Sequence, residues 1–228
     1  MILQIETATA SCSVALAKDG AVLAFKELNG RNLHAEVITR FIEEIVSSAG
    51  FSYNDLDAIA VSCGPGSYTG LRIGISTAKG LCFALDKPLI AIETLEAMAY
   101  GAANLDEYKN RKDLHLCPMI DARRMEVYTA IFTTQGERVK PTSAEIIDEN
   151  SFYDILTNNK ILFFGDGAEK CAAVLGKNPN AVFLPGFINS AKDLTQKAAE
   201  KFSKKEFEDV AYFEPYYLKD FIAGKKAV

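Results

Sequence analysis

The chain of 228 residues is poor in histidine, holding only His34 and His115, and its five cysteines, Cys12, Cys63, Cys82, Cys117 and Cys171, include no C-x-x-C pair. Structural zinc needs Cys and His at close spacing, and a helical metal pair needs two histidines four apart, whereas Ile38 stands four residues after His34. Metal-dependent catalysis and a tightly bound metal are therefore not expected. An odd set of widely separated thiols reads as buried and reduced, not as a disulfide framework. No apolar run approaches the ~20 residues of a membrane-spanning helix, and the N-terminus lacks the basic start and cleavage site of a signal peptide. No membrane association is expected, and the cytoplasm is the expected location. Positive charge is also short: 25 Lys and Arg against 30 Asp and Glu give a net charge of −5, with no long basic cluster. Autonomous tight RNA or DNA binding, which draws on phosphate neutralisation, is disfavoured.

What is present is organised around residues 58–85, AIAVSCGPGSYTGLRIGISTAKGLCFAL. A β-branched apolar run ending at Ser62 leads into a loop with Gly64, Pro65, Gly66 and Gly70, and then into a helix almost without charge. Glycines at a helix N-terminus suggest an anion cradle. Both common nucleotide fingerprints are missing, because Leu71 stands where a P-loop needs Lys and Thr69 where the third Rossmann glycine belongs. Ser67 has no G-x-S-x-G elbow around it, which argues against a serine hydrolase.

On a helical wheel, residues 71–85 carry a polar stripe of Arg72, Ser76 and Lys79 between two apolar sides. One side is Leu71, Ile75, Ala78 and Cys82; the other is Ile73, Thr77, Leu81 and Ala84. Two apolar sides imply two surfaces to pack against, and Gly70, Gly74 and Ala78 leave a groove for close approach. Residues 33–48 form a second helix with Asn32 as N-cap; its Ala35, Val37, Ile38, Phe41, Ile42, Ile45 and Val46 cover half the wheel. The expectation is that the two helices lie side by side and offer a partner a shared face built from Leu33, His34, Val37, Phe41, Leu71, Gly74, Ile75, Ala78 and Cys82, with the Ile75 row outward. A fully buried core helix is the competing reading of the same wheel. His34 falls on the apolar side, as a packed or interface residue and not a ligand.

The chain opens with three antiparallel strands (1–6, 11–18 and up to about 27), and residues 88–93 read as a short buried strand before a helix capped by Thr94. Residues 104–113 are the best linker, dividing a lobe of 1–105 from one of 106–228 whose tail packs back on the first. After the linker the opening pattern returns: strand 114–120, a turn at 121–125, strand 126–133 and a turn at Gln135-Gly136. Ile5-Glu6 and Ile120-Asp121 then occupy equivalent places, with Ala15-Leu16 and Ala130-Ile131 matching at the same offset, a weak internal duplication. A short helix after Ser151, a strand at 160–164, the loop Gly165-Asp166-Gly167, a helix to Leu175, a strand at 181–184 and a helix from Ser190 complete two α/β lobes. Arg123 and Arg124 either bind an anion or pair with Glu126, the second being favoured.

The thirteen residues SCGPGSYTGLRIG, with QIETAT and MIDARRMEVY, closely resemble the TsaB family. That resemblance implies a two-lobed, duplicated actin-like (ASKHA) ATPase fold with mixed sheets flanked by helices. It also implies a non-catalytic partner of TsaD that works with TsaE in modifying tRNA beside the anticodon and meets tRNA only through the complex. The free protein is expected to hide the shared apolar helix face by forming a homodimer. Glu6 stands where the relatives commonly carry Asp. Glu6, Asp121, Gly165, Asp166 and Gly167 would form a vestigial nucleotide cleft with no catalytic residue, no tightly bound cofactor and at most weak ATP or ADP binding. A working actin-like ATPase or small-molecule kinase is the alternative function.

Overall fold

A computed structural model describes residues 1–30, 33–109 and 111–219. The first sheet contains β1 (Ile2–Glu6), β2 (Ser11–Lys18), β3 (Ala21–Asn29), β4 (Ala58–Ser62) and β5 (Leu89–Ile92), in the order β3-β2-β1-β4-β5. The second contains β6 (Leu114–Asp121), β7 (Glu126–Thr133), β8 (Arg138–Ile146), β9 (Lys160–Phe164) and β10 (Ala181–Leu184), in the order β8-β7-β6-β9-β10. The duplication is thus complete at the level of topology: an antiparallel three-stranded meander followed by two parallel strands on the other side of its first strand. The register refines the offset. Ile5 faces Val14 while Ile120 faces Tyr128, so the second hairpin is one residue shorter, and Ala15 corresponds to Thr129, not to Ala130. β8 is absent from the sequence reading because Pro141 interrupts it; as an edge strand it tolerates the missing N–H.

Helices α1 (His34–Ser48) and α2 (Tyr68–Leu85) cover one face of the first sheet, α1 over β2 and β3, α2 over β4. Their apolar residues interlock with Leu3, Ile5, Val14, Leu16, Ile59 and Val61 in one core. The expected cap Asn32 lies outside the described residues; the helix begins after Leu33 without a side-chain cap bond. α2 starts earlier than expected, where Ser67 Oγ accepts the Gly70 N–H at 3.2 Å.

The two halves exchange cover. α3 (Thr94–Ala103) belongs to the first half but buries Leu95, Met98, Ala99 and Ala102 against the second sheet. From the second half, the 3-10 turn Ala191–Leu194 and α6 (Thr195–Lys204) bury Ala191, Leu194 and Ala198 on the free face of the first sheet. α4 (Tyr153–Leu156) and α5 (Ala168–Leu175) pack on the remaining face of the second sheet. Thr94 is not a cap, since Glu93 holds that position. Its backbone N–H donates to Gly64 O at 2.9 Å and its hydroxyl accepts the Gly64 N–H at 3.1 Å, which ties α3 to the glycine loop.

That loop owes its composition to the turn after β1. A Cβ at Gly66 would meet Ala8 O at 2.4 Å, one at Gly70 would meet Thr7 O at 2.1 Å, and one at Gly74 would meet Thr7 Oγ1 at 2.2 Å. Ser67 N donates to Ala8 O at 2.7 Å, and Thr7 Oγ1 donates to Gly70 O at 2.8 Å. The small groove on α2 is therefore filled within the chain. Gly70→Ala is expected to lower stability by about 2 kcal/mol or more through backbone overpacking. Gly80→Ala, where a Cβ meets nothing within 4 Å, should raise it by about 0.5–1 kcal/mol. Denaturant titration of both variants checks the contrast.

Candidate functional site

Between the sheets lies a cleft of about 1330 Å³, walled by the β1–β2 turn, the α2 N-terminus, the β6–β7 turn and residues 216–219. The C-terminal segment reaches it as a strap. Lys79 Nζ donates to the carbonyls of Ala211 and Phe213 at 3.2 and 3.0 Å, and Tyr216 N donates to Cys63 O at 2.7 Å. Tyr217 stacks on Tyr68 with centroids 4.9 Å apart, while its hydroxyl accepts from Arg72 Nε at 3.1 Å. Lys219 then pairs with Glu126 across the cleft. The polar stripe of α2 is thus the seat of this strap, a role the sequence offered no way to see.

On the second-lobe wall, the Asp121 carboxylate accepts the Arg123 N–H at 2.9 Å and pairs with Lys170. Partial burial works against its charge, but these donors outweigh it and hold the carboxyl below its ordinary value. Asp166 Oδ1 accepts the Asp121 N–H at 2.9 Å, and burial pushes this second carboxyl upward. Gly165 and Gly167 serve the same junction: a Cβ at Gly165 would meet Met119 O at 2.4 Å, and Gly167 N donates to that carbonyl at 3.0 Å. The favoured pairing of Arg123 or Arg124 with Glu126 is not formed, because Lys219 takes the Glu126 carboxylate. Both arginines sit in left-handed backbone, with φ of 72° and 47°, at the cleft lip.

Glu6 is not part of this wall. Its side chain turns to the opposite face of β1, is 1% exposed, and accepts the Ala8 N–H through Oε1 at 2.6 Å. Asp121 and Asp166 are brought together; Glu6 is kept apart. Asn189 and Asp193 lie beside it instead, neither singled out from the sequence: Asn189 Oδ1 accepts from Thr9 Oγ1 at 2.5 Å, and Asp193 closes a capping interaction by accepting the Ser190 N–H at 3.1 Å. The only signal for the last was the S-x-x-D spacing of Ser190 and Asp193. His34 lines the cleft wall, 7% exposed, its Nε2 donating to Thr9 O at 2.9 Å.

The row expected to meet a partner seals the core. Leu71 and Ala78 are fully buried, Cys82 and Ile75 are 2% and 3% exposed, and Val37 and Phe41 are 5% and 8% exposed. Gly74 faces Thr7, and Leu33 is half-buried against the same core. The correction has a simple cause: of two apolar rows on α2, the Ile75 row lies on the sheet. α1 turns its polar residues Glu36, Thr39, Arg40 and Glu43 outward or partly so, its breadth being used on β2, β3 and α2. Ile73 and Leu81 of the other row are half-buried against the same core, and the positions left open on α2 are Thr69, Ser76, Gly80 and Phe83, the last 86% exposed. Among the described residues, no group of three or more His, Cys, Asp or Glu is placed to hold a metal ion, and no helix is long and apolar enough to cross a membrane.

Burial raises the Glu6 carboxyl to about 7 from 4.5, and burial likewise raises Asp193 to about 7. Folded protein then retains protons that the unfolded chain releases near pH 4.5, so stability falls as pH climbs from there through 7. A fully buried carboxyl with this shift accounts for about 3 kcal/mol over that window. Thermal melts at about pH 5 and pH 8 should show a shallower loss for Glu6→Gln than for the unchanged protein, Asp193 supplying the remainder.

Comparison with known proteins agrees with this architecture. The family model for TsaD, tRNA N6-adenosine threonylcarbamoyltransferase, matches residues 28–221. The tRNA threonylcarbamoyladenosine biosynthesis protein TsaB of Escherichia coli is 34% identical, over 99% of this chain and 97% of that protein. The solved structure of YeaZ from Pseudomonas aeruginosa superposes with a TM-score of 0.78 at 28% identity, covering 95% of this chain and 99% of that one. At the level of fold alone, the activator of 2-hydroxyisocaproyl-CoA dehydratase from Clostridium difficile matches with a TM-score of 0.51 at 10% identity, over 91% and 98% of the two chains. The duplicated mixed sheets flanked by helices are the actin-like ATPase fold. With a likeness of this identity running the length of both chains, the chain belongs to the TsaB family.

Proposed function

We propose that this chain is a non-catalytic, cytoplasmic subunit of tRNA threonylcarbamoyladenosine biosynthesis, pairing directly with TsaD, acting with TsaE, and meeting tRNA only through the assembly. The observation that carries this reading is the inward use of the groups an actin-like enzyme would turn to a ligand. Glu6 is buried and clamps Ala8 N, and Ser67 N is taken by Ala8 O. Asp121 is already neutralised by Lys170. A cleft so arranged favours no tightly bound cofactor and at most weak ATP or ADP binding.

The partner's seat is the open row of α2. Gly80 and Phe83 are the exposed apolar part of this stripe, with half-buried Ile73 at its inner edge, and Gly80, where a Cβ would meet nothing, lets a partner helix come close. In the absence of TsaD the same stripe pairs with a second copy of the chain, hiding Phe83 from water.

Co-expression with the cognate TsaD and mass measurement of the complex is the direct test. Phe83→Arg and Gly80→Arg should weaken TsaD binding about tenfold or more, a loss of about 1.4 kcal/mol or more, with unchanged melting temperature. Ile75→Arg should unfold the protein, because it places a charge in the core. Wild-type binding by both surface variants would overturn the seat. ATP turnover of about one per second or more by the chain alone would favour the kinase alternative.

A further inference from the structure

The turn between β6 and β7 is built unlike the hairpin turns that follow β2 and β7. The β2–β3 turn carries Asp19 at φ 52° and Gly20 at φ 78°, and the β7–β8 turn carries Gly136 at φ 88°, so each places a glycine in left-handed backbone. At β6–β7 the positive φ angles fall on Arg123 and Arg124, the only two successive non-glycine residues among those described to share this conformation. An L side chain in that region crowds its own backbone, and here the crowding occurs twice in a row at the cleft lip.

The turn is propped from behind. Asp121 Oδ1 accepts the Arg123 N–H at 2.9 Å, Lys170 holds Asp121 in turn, and Asp166 accepts the Asp121 N–H at 2.9 Å. The flanking acids have cations of their own, Lys170 for Asp121 and Lys219 for Glu126. Among the described residues, the Arg123 and Arg124 side chains make no hydrogen bond or ion pair, whereas Arg40, Arg72, Arg111 and Arg138 each make at least one. An exposed guanidinium is well solvated, so exposure alone marks nothing. Two of them in crowded backbone, fixed there by a dedicated carboxylate, mark a site.

The surroundings narrow the ligand. Guanidinium groups match phosphate or carboxylate oxygens. Tyr128, Tyr216 and Tyr217 line the same cleft, the last two 41% and 36% exposed, and aromatic faces beside arginine suit a nucleotide chain better than an acidic peptide. A net charge of −5 leaves the chain too acidic to gather RNA by itself, so such a contact forms on RNA that another subunit brings. We propose that the Arg123–Arg124 turn is a phosphate-contacting site for the backbone of tRNA held by the assembly with TsaD. The site rests on that assembly, proposed above, and adds to it a direct contact between this chain and the RNA. Phe83 lies toward the end of α2 away from the cleft, so partner and RNA can be held at once.

The test uses the full chain assembled with its cognate TsaD, with tRNA binding measured over a range of salt. Arg123→Gly with Arg124→Gly should weaken tRNA binding about tenfold and flatten the slope of log affinity against log salt by about one to two. Arg123→Lys with Arg124→Lys keeps the charge and should keep the slope. Glycine relieves the left-handed backbone, so the melting temperature of the first variant should hold or rise, which separates a lost contact from a lost fold. The same slope in both variants would overturn the site. So would a lower melting temperature of the glycine variant, which would make the arginines part of the fold, or weaker TsaD binding by it, which would make the turn a protein contact. Failure of the unchanged chain to assemble with TsaD would remove the proposed function and this contact together, whereas a complex whose tRNA binding ignores both variants removes the contact alone.

Discussion

The close passage of the β1–β2 turn over the first turns of α2 sets the geometry of the first lobe. Backbone oxygens of Thr7 and Ala8 lie where any side chain at Gly66 or Gly70 would stand, and the Thr7 hydroxyl fills the notch at Gly74. The contact is closed by two hydrogen bonds, Ser67 N to Ala8 O and Thr7 Oγ1 to Gly70 O. It places α2 across β4, leaves the Ile75 row on the sheet, and holds Thr9 where it bonds both His34 and Asn189. A loop whose glycines suggest an anion cradle is here a chain-to-chain contact. The same property of glycine, a bare backbone, serves both uses, and only the object approaching it differs.

The order of elements was largely legible. Period-two and period-3.6 patterns marked strands and helices, and the return of the opening hairpin after residue 113 announced the duplication that both sheets display. Failures arose where local pattern meets distant structure. Pro141 hid β8, whose position at a sheet edge is a property of the fold and not of the segment. The wheel of α2 identified two apolar rows but could not rank them, since which row meets the sheet depends on the crossing at Thr7.

The site was less legible than the fold for the same reason. Asp121 and Asp166 were visible because each follows a strand and ends at the cleft, where the duplicated topology brings them within 2.9 Å through the Asp121 N–H. Glu6 was visible as a residue but not as a buried one, because its cover comes from Asn189, which bonds Thr9 from 180 positions away in the chain. Arg123 and Arg124 do not pair with Glu126, whose carboxylate is held by Lys219 on the strap. Pairings set by segments so distant leave no periodic trace.

The exchange of cover between the halves bears on how the protein is made. All five strands of the first sheet precede residue 93, and α1 and α2 can close over one face as soon as they are synthesised. The other face, with Ile2, Ala15, Ala58, Ala60, Ile90 and Ile92, is covered by Ala191, Leu194 and Ala198. On the ribosome, the first half therefore waits with one apolar face bare while the entire second lobe is translated, a window in which a nascent chain is open to aggregation and to chaperone capture. The polar end of that face, Gln4, Glu6, Ser11 and Ser13, stays wetted during this delay, which confines the adhesive surface to its apolar end.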